Sequence, residues 1–191
     1  MPLNHSSKFA ELTDVQYIAL GKAVVEWANI EQLLSALLGR LLGTPDFLAR
    51  TFTDPLSAVR LQEAIHEAVE IHRVRYREKV ISGDILDEII RINNSVTSLR
   101  GVRNKIAHFC WCRHSDESLF GTNFAGGTPT PKSERKNTAV LKLSDLTKIH
   151  QEAFSLVERL IALTEKLPPV DEELLLTLHS TGPARKAAQS G

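Results

Sequence analysis

The segment Arg100-Gly-Val-Arg-Asn-Lys-Ile-Ala-His108, followed by Phe109-Cys-Trp-Cys-Arg113, decides how the fold is read. It closes an apolar stripe made of Ile85, Ile89, Ile92, Val96, Leu99, position 103 and Ile106. The spacing alternates four and three, as one face of a helix requires. Position 103 lies on that stripe and is arginine. A guanidinium is too costly to bury without acceptors, so Arg103 is expected to face a partner, a substrate or a wet cleft. His108, the side chain that changes charge near neutral pH, follows at the helix end. Beyond it the period changes. Phe109-Cys-Trp-Cys-Arg113 alternates large rings with small or polar residues, as a strand does.

From Arg91 to Arg113 there are five bases and no acid, a local charge of +5 in a chain of 23 bases and 23 acids. That overall balance argues against a general polyanion binder, so any nucleic-acid site is a local patch. Arg100, Lys105 and Arg113 are its candidate RNA contacts, and no preference for DNA is evident. Lys105 and Arg113 also read as a solvated helix end, where cations suit the negative pole of the helix dipole. The stripe position makes that reading less apt for Arg103.

Working outward, a long helix is expected over residues 13–42, capped by Thr13 and with Asp14 in its first turn. Its stripe is Ala23, Trp27, Ile30, Leu34, Leu37 and Leu41. A short helical turn follows over 46–52. Asp54-Pro55 reads as the start of the second main helix, running to about Arg77, whose end carries Arg73, Arg75, Arg77 and Lys79. His66 and His72 read as ordinary helix residues. The third helix spans 84–107 and carries the segment quoted first. Residues 123–136, rich in Gly, Pro, Thr and Ser, read as a mobile loop. Thr138-Ala-Val-Leu-Lys-Leu143 reads as a second strand, able to pair with the first. The fourth helix begins at Ser144-Asp145, follows Leu146, Ile149, Ala153, Leu156, Leu160, Leu163 and Leu167, and stops at Pro168-Pro169. Leu174, Leu175, Leu176 and Leu178 suggest one more packed turn, and Thr181 onward reads as disordered. The expected fold is all-α: an antiparallel bundle of four main helices with a small β-ribbon inserted between the third and fourth. It forms a single domain over residues 1–170, with 171–191 as a short extension.

At 42% hydrophobic and 24% charged, the 191 residues suit one soluble domain with a real core. No signal peptide or spanning segment is visible, so the cytoplasm is the expected location. Cys110 and Cys112, two apart in a strand, point to opposite faces and are not expected to bridge. Cys-x-Cys-x-His114 lacks a second cluster, so neither a metal nor another cofactor is expected.

Arg103-Asn104-Lys-Ile-Ala-His108, late on a helix of a small bundle, resembles the HEPN superfamily, which is marked by Arg, four to six residues, then His, often with a polar residue directly after the Arg. The Arg-Asn-x-x-Ala-His-Phe form with a tryptophan soon after, and the opening helix with Trp27, Ile30-Glu31 and Leu34, add to the likeness. It covers roughly residues 13–167, and only the motif is specific. The resemblance implies a metal-independent endoribonuclease, possible as a toxin or defence component with an antitoxin partner, whose site forms at a dimer interface. The RNA 2′-hydroxyl would attack the neighbouring phosphate and leave a cyclic phosphate and a 5′-hydroxyl. Arg103 would hold phosphate oxygens as charge builds, and His108 would exchange a proton. Asn104, one helical turn from His108, would orient the ring or the phosphate.

The alternative is a non-catalytic HEPN-like scaffold or protein-interaction module. There Arg103 pairs with Glu26 or Glu31 of the first helix, and its loss would strand a buried carboxylate at a cost of several kcal/mol. A homodimer through the motif end is expected because one copy of the bundle leaves apolar surface uncovered. The 123–136 loop, ending with Lys132, Arg135 and Lys136, is expected to help hold a polyanionic partner.

Overall fold

The computed structural model describes residues 10–75, 80–123 and 137–170. Helix α1 (Asp14–Leu41) starts at a capping box: the Thr13 hydroxyl accepts from the Gln16 N–H, and the Gln16 side chain accepts from the Thr13 N–H. Gln16 is fully buried, and its Nε2 donates to the Ser115 carbonyl at 2.7 Å, which ties the start of α1 to the sheet. Gly43, at φ 62°, supplies the left-handed turn beyond the end of α1.

α2 (Asp46–Thr53) then folds back on α1. The approach is close: a Cβ on Gly39 would stand 2.9 Å from the Ala49 Cβ. α3 (Ala58–Val74) begins at Ser57, whose hydroxyl accepts from the Arg60 N–H. Asp54-Pro55 is therefore not the cap of this helix. Asp54 instead closes α2, its N–H donating to the Arg50 carbonyl. α4 (Gly83–His108) leads into β1 (Cys110–Ser115), β2 (Ser118–Thr122) and β3 (Thr138–Lys142), and α5 (Leu143–Glu165) ends the described fold.

The fold departs from the expected all-α bundle of four helices in three ways. There are five helices among the described residues, because Asp46–Thr53 is a helix in its own right. The strands follow the fourth helix, and they form a three-stranded antiparallel sheet in the order β1-β2-β3. β1 and β3 do not pair with each other: both flank β2, which opposes Trp111 with Gly121 on one side and Leu141 with Leu119 on the other. The Asp116-Glu117 turn is too tight to let the chain do anything but fold straight back from β1 onto β2. Nor do the long helices simply alternate in direction. Arg73 of α3 reaches Asp87 and Gln62 reaches Thr97, so α3 and α4 are antiparallel. Yet α1 and α3 end side by side, with His72 Nε2 2.8 Å from the Leu41 carbonyl oxygen. α2 carries the chain back between them.

Every member of the α1 stripe from Ala23 to Leu41 is buried, as is the α5 stripe apart from half-buried Ile149. One core fills the space between α1, α3, α4 and α5, centred on Ile30, Leu34, Ile65, Ile89, Ile92 and Leu160, all at 0% exposure. Truncating any one of these to Ala would cost about 2–5 kcal/mol. A second, smaller cluster of Leu12, Ala23, Ile106, Leu119 and Leu146 fastens the sheet to the end of α4. The expectations for Arg77 and Lys79, for the 124–136 stretch of the loop with Lys132, Arg135 and Lys136, and for everything beyond Val170 lie outside the described residues.

Candidate functional site at the end of α4

The last two turns of α4 present the candidate residues, and the sheet fixes where that helix stops. The Trp111 indole N–H donates to the Ile106 carbonyl at 3.1 Å, satisfying one of the carbonyls a helix end leaves open. The Trp111 ring lies across Gly121, where an added Cβ would come within 2.6 Å of it. Phe109 packs beside it, ring centroids 6.0 Å apart.

Arg103 turns towards α1. Its Nη2 donates to Glu31 Oε1 at 3.4 Å and its Nη1 to Asn104 Oδ1 at 3.3 Å, while the guanidinium carbon lies 5.5 Å from the centre of the Trp27 ring. An arginine on an apolar stripe is thus accommodated by an aromatic face and one carboxylate rather than by full burial. Its side chain stays 30% exposed and that of Glu31 36%. Beneath it lies a cavity of about 110 Å³ between α1, α4 and α5, with Val24, Trp27, Leu99, Ile106 and Ile149 among its walls. Trp27 is 4% exposed, and its indole N–H is buried without an acceptor among the described residues.

The structure brings Arg103 and Asn104 together and leaves His108 apart. Five residues along a helix is about 140° around its axis. His108 is exposed, is not among the cavity-lining residues, and its side chain makes no hydrogen bond among the described residues. The Asn104 amide touches the guanidinium rather than the imidazole.

The three expected RNA contacts have different surroundings. Arg100 Nη1 donates to Gln62 Oε1 at 2.9 Å, within a network in which Gln62 Nε2 also reaches the Asn93 carbonyl and the Thr97 hydroxyl. Arg113, on β1, pairs with Asp116. Lys105 is half-buried, with no ion pair among the described residues. Of the two acids weighed for Arg103, the geometry selects Glu31. Glu26 turns instead to α5, where its Oε1 is 3.7 Å from His150 Nε2 and its Oε2 accepts from Asn29. His150, and Trp27 as the surface under the guanidinium, lie outside the motif and are not marked by it in the sequence. Trp27 and Glu31, four apart and so on one helix face, were the available signal.

Cys110 and Cys112 are both free thiols. Among the described residues no three His, Cys, Asp or Glu converge as metal ligands, and no helix is long and apolar enough to cross a membrane. Compared with known proteins, the chain matches no family model, no curated protein and no solved structure.

Proposed function

We propose that this chain is a HEPN-like, metal-independent endoribonuclease in which Arg103 and His108 act on one phosphate across a homodimer. One observation carries the reading: Arg103 is held at the rim of a groove by single contacts of 3.4 and 3.3 Å, on the same helix end as an exposed His108 whose side chain has no hydrogen-bond partner among the described residues. Such long contacts leave most of the five guanidinium donors available for phosphate oxygens. Asn104 would orient the guanidinium, and His108 would move the proton to or from the attacking 2′-hydroxyl or the departing 5′-oxygen. Because the two side chains diverge around α4, a second copy supplies the missing member of each pair. α1 offers an apolar face for that contact, with Val15, Ile18 and Val25 all exposed. Lys105 would add charge along the RNA path. Arg100 and Arg113 would have to leave Gln62 and Asp116 to join it. A toxin or defence role, an antitoxin partner and a cytoplasmic location belong to the same proposal.

The contacts of Arg103 with Glu31 and Trp27 favour a second reading, a non-catalytic scaffold in which the arginine simply joins α4 to α1. Purified protein with labelled mixed RNA and EDTA separates the two. The ribonuclease reading expects cleavage in EDTA, a loss of about 10²- to 10⁴-fold in His108→Ala, and failure of Arg103→Lys, whose point charge cannot reproduce a bidentate grip. Mixing inactive Arg103→Ala with inactive His108→Ala should restore activity, since a mixed dimer rebuilds one intact pair. No cleavage by the wild type, freed of any bound inhibitor, would leave the scaffold, and full cleavage by His108→Ala would overturn the Arg103 and His108 site.

A further inference from the structure

We propose that the cavity beneath Arg103 is a binding site for a small monocarboxylic acid with a compact apolar body. At about 110 Å³ it is a little smaller than an apolar protein cavity of about 150 Å³ that takes up benzene. It also opens beside Arg103, so a ligand's head can stay at the mouth while its body is buried. Val24, Leu99, Ile106 and Ile149 line it with hydrocarbon, which suits a ring or a branched chain.

One polar group at the mouth of this cavity, the Arg103 guanidinium, is loosely held. Arg103 engages two acceptors through single hydrogen bonds of 3.3 and 3.4 Å, both longer than a good charge-assisted contact. The guanidinium is a donor, and its free N–H groups take oxygen. A carboxylate offers two oxygens in one plane, the complement of a guanidinium fork.

Glu31 selects the charge. Its carboxylate already sits on the guanidinium, and at 36% exposure it can be released to water with little loss. An incoming monocarboxylate replaces it one for one. A dianion would crowd a third negative charge against Glu31. A cation would meet Arg103, which already covers the Trp27 ring at 5.5 Å. The proposal does not rest on the ribonuclease reading, because binding is measured without RNA.

The test is a titration of the ¹⁵N-labelled full chain, following the two indole N–H cross-peaks of Trp27 and Trp111. The probe is benzoate, with benzyl alcohol and benzylamine as controls sharing its ring. Benzoate should shift the Trp27 peak saturably, with a Kd of about 1 mM or tighter, a modest demand on so small a ligand. The Trp111 peak should stay in place. Glu31→Gln, which removes the competing carboxylate, should tighten binding about threefold, and Arg103→Gln should weaken it at least about tenfold. Ala28→Phe, at an exposed position on the cavity wall, should block entry while leaving Arg103 intact. That variant decides the matter if Arg103→Gln does not fold. No saturable Trp27 shift up to about 10 mM benzoate would overturn the proposal, as would unchanged binding in Ala28→Phe or in folded Arg103→Gln, or benzylamine binding as tightly as benzoate.

Discussion

Truncating Arg103 to Ala should unfold nothing, although the residue sits on a core-facing stripe. Its pairing with Glu31 is one contact of 3.4 Å between side chains that are 30% and 36% exposed. Ion pairs of that exposure contribute about 0–1 kcal/mol. Stacking over Trp27 at 5.5 Å adds about 0.5–1 kcal/mol. The sum is about 0.5–2 kcal/mol, or a Tm lower by roughly 1–8 °C for a chain of this size. A scaffold arginine neutralising a buried carboxylate would cost about 3–5 kcal/mol instead. Glu31 is too exposed for that figure, so the large loss expected from sequence does not fit the geometry. The assay is urea unfolding of wild type, Arg103→Ala, Glu31→Ala and the double variant. Their coupling energy should be about 0.2–1 kcal/mol and should shrink at about 1 M salt, where the Debye length falls to about 3 Å. A loss above about 3 kcal/mol, or a salt-insensitive coupling above about 2 kcal/mol, would refute the reasoning and make Arg103 a structural residue.

Two further outcomes follow from the sheet and the far end of the bundle. Gly121→Ala places a methyl 2.6 Å from the Trp111 ring and should cost about 1–3 kcal/mol in a thermal or urea melt, a penalty that shrinks when Trp111 is also replaced by Leu. Glu88, hydrogen-bonded by the Lys166 ammonium at 2.9 Å, has its carboxyl held below the ordinary glutamate range. A depressed pKa stabilises the fold above the unfolded value of about 4.3, and the contribution is lost as pH falls through the folded value. The small stability gap between wild type and Glu88→Gln should therefore be present at neutral pH and close in acid; a gap unchanged at about pH 2 would contradict it.

The long helices were legible because burial repeats along them with the helical period. What escaped the sequence did so for local reasons. The short helical turn expected over 46–52 is α2, but its buried face is not the one its large residues suggest: Phe47, Leu48 and Phe52 are exposed, at 77%, 49% and 48%, while Ala49 and Thr53 are buried. Large residues cannot lie against α1 there, since Gly39 and Ala49 bring the two backbones together. Hydrophobicity alone assigns no face to such a helix. β2 was hidden by a similar substitution. Its inward positions are Leu119 and Gly121, and a glycine reads as a turn when its space is filled by a tryptophan from the neighbouring strand. Without β2, the two recognisable strands had only each other to pair with.

The candidate site was legible as an anomaly but not as a geometry. That Arg103 interrupts an apolar stripe is a fact of spacing; which acid it meets depends on how α1 is rotated against α4. Glu26 and Glu31 differ by five residues, about 140° around α1. That rotation turns Glu31 to α4 and Glu26 to His150 on α5, with Trp27 buried between them. The same step separates Arg103 from His108 on α4, so the two sequence positions that resemble one motif face different surroundings in one copy. A reaction that needs both on one phosphate must draw one of them from a second chain, whereas a carboxylate ligand under Arg103 needs only one. The two proposed uses of Arg103 thus differ in their dependence on protein concentration: cleavage by a composite site would fall as dimers dissociate, while occupancy of the cavity would not.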